Sequence, residues 1–234
     1  KLLCLNKSLN ALVKQHPIYQ EMTWINSRDN ILFQCYKFGY LAILKKLQAN
    51  HKNITLQSRT YITSLDVAAA HGHVKILQWF KDMGLPMHYT RYAMDIAAEN
   101  GHLDVLQWFK DSGLEIKYSE YAMYQASEHN QVAVLEWFKN SGLSLKYNYQ
   151  PIDGVCQYGH VAVLEWWKNS GLPLKYTGWT IDEASKRGHL AILEWWKNSG
   201  LKMIYTERAM RDAIIQGHVN VVNWWLNSGL QVSP

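Results

Sequence analysis

The sequence predicts an all-α solenoid of stacked two-helix repeats, and three observations carry that reading. A histidine recurs every 29 residues as His73, His102, His160, His189 and His218, with Gln131 filling the missing step. Glycine keeps the same beat at Gly84, Gly113, Gly142, Gly171, Gly200 and Gly229. So do aromatic pairs, from Trp79-Phe80 through Trp108-Phe109, Trp137-Phe138, Trp166-Trp167 and Trp195-Trp196 to Trp224-Trp225. These define six units. A diverged seventh stands at Gly39-Tyr40-Leu41-Ala42-Ile43-Leu44, whose glycine lies 33 residues before Gly72, four more than the period. Residues 1–29 read as a partial or capping element and residues 30–234 as the array. No Gly/Ser-rich or Pro-rich linker interrupts it.

Within a unit, helix one is announced by Thr90, Ser119, Asn148, Thr177 and Thr206, whose side-chain oxygens suit an N-cap. Tyr89, Tyr118, Tyr147, Tyr176 and Tyr205 precede the caps. Met94, Met123, Ile152, Ile181 and Met210 follow four residues after, which is hydrophobic-staple spacing. Helix one ends at Gly101, Gly159, Gly188 or Gly217, with Asn130 as the one substitute able to adopt the left-handed conformation. Helix two, as in 160–169, has a broad apolar stripe and stops before Gly171. The Leu-x-Leu-x-Tyr that follows alternates with period two, which predicts an extended link. Helices this short are unstable in isolation, so the units must stack. Small residues on helix one, such as Ala97-Ala98, Ala126-Ser127 and Ala184-Ser185, permit close approach. One ring of each aromatic pair is expected inside and the other over the adjacent layer.

The hydrophobic fraction of 48% is ample for a core, and 24 Lys plus Arg against 19 Asp plus Glu give a formal +5, a mild basic bias. Cys4, Cys35 and Cys156 show neither paired nor metal-ligand spacing, so a disulfide framework and a zinc site are not indicated and a reducing, cytoplasmic setting fits. The sequons at Asn6-Lys7-Ser8 and Asn53-Ile54-Thr55 are too short a pattern to indicate secretion. No apolar run reaches the ~18 residues of a membrane span. Because the chain opens at Lys1, a fragment of a longer protein is expected.

The run Ala97-Ala98-Glu99-Asn100-Gly101-His102-Leu103-Asp104-Val105-Leu106 resembles the ankyrin repeat core, with its alanine pair, Gly-His turn and valine position. The resemblance spans about 30–230, and its strength is the return of the pattern at fixed period. Two departures stand out: the unit is four residues shorter than the family's, and Tyr92-Ala93-Met94-Asp95 replaces the Thr-Pro-Leu-His opening of helix one. Since the missing residues fall between Gly113 and the next helix, the family's projecting β-hairpins should be trimmed or absent. The tryptophans resemble a short, tryptophan-bearing ankyrin subclass. The resemblance implies a monomeric protein-binding scaffold, with no cofactor and no catalysis, whose helix-one surface lines a concave groove.

Recurrence decides the candidate residues. A catalytic or metal group is needed once, so histidines repeated in every layer point to a turn-stabilising hydrogen bond. His71, His73 and His88 lack any ligand motif. Asp66, Asp95, Asp153 and Asp182, seven residues before the histidines, are structural on the same ground. The rows Lys110, Lys139, Lys168, Lys197 and Lys117, Lys146, Lys175 leave nucleic-acid or polyanion binding as the alternative. Glu136, Glu165 and Glu194, three residues before lysines, suggest ordinary i,i+3 pairs on a solvated face instead. Positions that differ between units are the better functional signal. They lie on helix one, where Tyr92, Tyr121, Tyr149 and Trp179, with Arg91, Arg187 and Arg208 around them, form the candidate surface for a protein or peptide partner.

Overall fold

The computed structural model describes residues 28–50 and 63–231. The expected capping element up to residue 27, Cys4 and both sequons lie outside the described residues. Among these, fourteen α-helices and no strand form seven helix pairs. They are α1 (Arg28–Lys37) with α2 (Leu41–Asn50), α3 (Ser64–Ala70) with α4 (Val74–Asp82), and α5 (Tyr92–Glu99) with α6 (Leu103–Asp111). Next come α7 (Glu120–Glu128) with α8 (Val132–Asn140) and α9 (Gln150–Tyr158) with α10 (Val161–Asn169). The last are α11 (Trp179–Lys186) with α12 (Leu190–Asn198) and α13 (Arg208–Ile215) with α14 (Val219–Asn227). The described links carry no strand, so the projecting hairpins are absent from them.

Helix boundaries follow local chemistry. Ser119 caps α7, its hydroxyl accepting the Tyr121 N–H at 3.1 Å. Thr90, Asn148, Thr177 and Thr206 do the same for the N–H two residues on, at 2.8 to 3.2 Å, although their helices begin one residue later than expected. Thr63 and Asp66 close a reciprocal capping box on α3. Asn130 supplies the left-handed turn expected of it, with φ 57°.

The chain divides into two compact units, residues up to 97 with 102–118, and residues 98–101 with 119–234. In the first, α1 packs on α3 and α4 on α6. In the second, α7, α9, α11 and α13 pack side by side as one row and α8, α10, α12 and α14 as another. The core is the expected one: Ala97, Ala98, Ala126 and Ala184 on helix one, and Val105-Leu106, Val134-Leu135, Val163-Leu164 and Ile192-Leu193 on helix two, are all fully or almost fully buried.

Within each unit, polar contacts at fixed spacing join successive repeats. Asp66, Asp153 and Asp182 are buried, and each accepts both the backbone N–H and the hydroxyl of a threonine 24 residues on, Thr90, Thr177 or Thr206. Asp153 also accepts the Thr180 hydroxyl. His73 and His189 donate from Nε2 to the carbonyls of Lys37 and Gln157 in the preceding repeat, at 2.8 and 2.9 Å. His102 and His160 bond Ala70 and Glu128 likewise. These rings lie so close to the preceding helix terminus that a Cβ on Gly72 would sit 2.9 Å from His102 Nδ1. Gln131 occupies that place beside Gly101. The repeated histidine and aspartate thus hold successive repeats together within each unit. Finally, Tyr89 and Tyr176 lie 5.1 and 4.6 Å from the buried rings of Phe109 and Trp196, and their hydroxyls donate to Glu115 and Lys202 carbonyls in the following link.

Candidate functional site

The second ring of each aromatic pair, from Phe80 to Trp225, is buried, while the first is half-buried from Trp108 onward. The half-buried indoles overturn the expected i,i+3 Glu–Lys pairs as the main contact on helix two. Trp166 and Trp195 donate from Nε1 to Glu136 and Glu165, 30 residues earlier, at 2.7 Å. Asn140 and Asn169 hold the same carboxylates from one turn on. The indole bond first, then the amide, keeps Glu136 and Glu165 below the usual carboxylate range. An indole N–H is a neutral donor fixed by packing, whereas a lysine ammonium on four flexible carbons keeps its water.

Five lysines have partners within the array. Lys168 and Lys197 sit over the rings of Trp195 and Trp224 at 5.9 Å, and Lys81 donates to the Ser112 carbonyl. Lys117 and Lys175 lie 4.8 and 4.9 Å over Tyr89 and Tyr147. Elsewhere, burial raises the thiols of Cys35, to about 12, and Cys156, which makes both inert as nucleophiles at neutral pH. Among the described residues, no three His, Cys, Asp or Glu side chains meet to hold a metal.

Helix one carries the variable surface. In the second unit Tyr121, Tyr149 and Trp179 are 45%, 50% and 44% exposed, and Arg187 and Arg208 are exposed. Each aromatic stands within two residues of a cap, which fixes its backbone: Tyr121 and Trp179 give their N–H to Ser119 and Thr177, and Tyr149 directly follows Asn148. Arg187 donates from Nε to the buried Glu183 at 2.7 Å, which Lys186 also approaches. In the first unit the Arg91 guanidinium lies 5.6 Å over the half-buried ring of Tyr92. Tyr121 contacts Tyr124 edge to face at 5.5 Å.

Residues 65–109 match the family model for ankyrin repeats (many copies). That segment carries ankyrin repeats. A crystal structure of the human ASB11 ankyrin repeat domain superposes with a TM-score of 0.62 at 14% identity, over 82% of this chain and 98% of that one. No curated protein matches the chain. Ankyrin repeats generally mediate protein–protein interaction and are typically non-catalytic. No helix among the described residues is long and apolar enough to cross a membrane.

Around Tyr124 the helical array holds a group that sequence reasoning missed. The Glu128 charge acts on the phenols of both Tyr124 and Tyr158. Burial first, then the Glu128 charge, pushes the Tyr124 phenol up to about 12; for the more exposed Tyr158, the Glu128 charge is the leading cause of the rise. The signal was present in the sequence: at the position of Asp66, Asp95, Asp153 and Asp182, this repeat alone among the inner ones carries tyrosine.

Proposed function

We propose that the chain is a cytoplasmic protein-binding scaffold without catalysis, holding a protein or peptide segment on the helix-one face of residues 119–231. The observation that carries this is the exposure of Tyr121, Tyr149 and Trp179 at positions where the repeats differ, beside stacking positions that are buried in every repeat. Large rings with a polar edge offer much contact area at little entropic cost. Arg187 and Arg208 add charged donors beside them. Arg91 and Tyr92 offer the same chemistry on the first unit. The lysine partners described above favour a protein over a polyanion, because those ammonium groups lie against rings and carbonyls of the array.

The test is a displayed library of random 12-residue peptides selected on the wild-type protein. Sequences bound by wild type should lose binding to Tyr121→Ala with Trp179→Ala, while Lys139→Glu with Lys168→Glu leaves it unchanged. A fluorescent single-stranded 20-mer should bind only feebly at physiological salt. Tight, steeply salt-dependent binding of that oligonucleotide, abolished by the lysine reversals, would move the function to polyanion binding.

A further inference from the structure

Gly178 leaves open space beside two exposed apolar side chains, Trp179 at 44% and Ile204 at 40%. Its backbone lies in the right-handed helical region, at φ −64° and ψ −22°, which any residue adopts. The equivalent residues one repeat before and one after, Tyr149 and Glu207, hold nearly the same angles, φ −81° with ψ −19° and φ −57° with ψ −18°, and both carry side chains. Nor does packing require glycine here: a Cβ would meet Ile204 Cγ2 at 3.5 Å, an ordinary contact. Glycine at such a place costs stability through the freedom of the unfolded chain. The fold gains nothing from it, and the result is a notch at the start of α11, against Ile204.

The other wall of the notch changes with it. Link residues 201–205 alternate, with Leu201, Met203 and Tyr205 half-buried and Lys202 and Ile204 exposed, so Ile204 stands on the outer side. The positions equivalent to Gly178 and Ile204 hold Glu120 with Lys146 and Tyr149 with Lys175 in the preceding repeats. Two positions 26 residues apart thus give up their polar groups together. The notch has the size of one missing side chain, too small for a membrane or for a face of a second copy. Among residues 201–208, Lys202 and Arg208 are exposed against a single carboxylate, Glu207, which disfavours a basic occupant. We propose that the notch seats an aliphatic side chain, that of leucine, isoleucine, valine or methionine, from the protein segment bound on the helix-one face. This rests on the docking function proposed above and assigns the chemistry of one contact.

The experiment uses peptides selected from the random 12-residue library on wild-type protein. They should share an aliphatic residue whose replacement by alanine weakens binding about tenfold, the scale of burying a few methylene groups. Gly178→Gln fills the notch, and should bind the aliphatic and the alanine peptide equally. Ile204→Lys, which copies Lys175, should do the same. Urea midpoints check folding, and Gly178→Ala should hold or raise the midpoint. Selected peptides without a common aliphatic residue, or the full aliphatic preference retained in either folded variant, would overturn the aliphatic seat while leaving the docking face in place. A lower midpoint for Gly178→Ala would show that the fold needs the glycine, and would overturn the seat too. Failure of wild type to select any peptide would overturn both readings.

Discussion

Trp167 donates from Nε1 to Ser127 Oγ at 3.1 Å, across the joint between α10 and α7 and inside the core. Trp225 does the same to Ser185 at 3.1 Å, and Trp196 to Cys156 Sγ at 3.4 Å. Where the buried ring is Phe109 or Phe138, which needs no acceptor, the residue 40 positions earlier is Ala69 or Ala98. Ring type and acceptor change together. Ser127→Ala should therefore cost about 1–3 kcal/mol by stranding a buried donor. Adding Trp167→Phe should cost less than it does in the wild-type background, because the orphaned N–H goes with it. Urea denaturation of the four proteins measures the coupling, and strict additivity would count against it.

Gly188 and Gly217 have nearly the same backbone, at φ 77° and 75°, and different surroundings. A Cβ on Gly188 would meet His218 Nδ1 at 2.7 Å, whereas one on Gly217 meets nothing within 4 Å. Alanine at either position carries the left-handed penalty of about 1–2 kcal/mol. Only Gly188→Ala also displaces a ring. It should be the more destabilising by a clear margin, and equal urea midpoints would contradict the packing.

Burial lowers the pKa of His160 and of His102, each bonded to a carbonyl of the preceding repeat. Their folded-state values lie below the unfolded one near 6.5. The unfolded chain then binds more protons as pH falls through that region, so stability is full above about pH 6.5 and declines below it. His160→Gln, which copies Gln131, should reduce the decline between pH 7.5 and pH 5 in urea midpoints. An unchanged slope would assign the pH dependence elsewhere.

Ser119→Ala should cost about 1 kcal/mol, the usual value of an N-cap. Thr177→Ala should cost more, about 1–3 kcal/mol, because its hydroxyl also donates to the buried Asp153 at 2.9 Å. Thermal and urea denaturation of both would show the order; a Thr177 variant no weaker than the Ser119 variant would remove the clamp from the account.

Much of this was legible in sequence because the decisive features are local or periodic. The caps at Ser119 and Thr177, the turn at Asn130 and the missing hairpins after Gly113 each follow from residues a few positions apart. The division of labour within Trp166-Trp167 was legible too. The partners of Glu136 were not, since Trp166 lies 30 residues away and reaches it only through stacking. The same holds for Glu128 and Tyr158, whose charge interaction spans two repeats. The break in the aspartate column at Tyr124 pointed there, although a column read only for what repeats hides its exception.

The contacts that join successive repeats span fixed distances along the chain: 24 residues from Asp153 to Thr177, 26 from Tyr176 to Lys202, 30 from Glu136 to Trp166 and 40 from Ser127 to Trp167. A gain or loss of 29 residues between equivalent positions keeps each of them, so unequal recombination can lengthen or shorten such a gene by whole repeats and still encode a closed stack. Changes of other lengths must fall in a link. His73 records one, reaching the Lys37 carbonyl over 36 residues where His189 reaches Gln157 over 32.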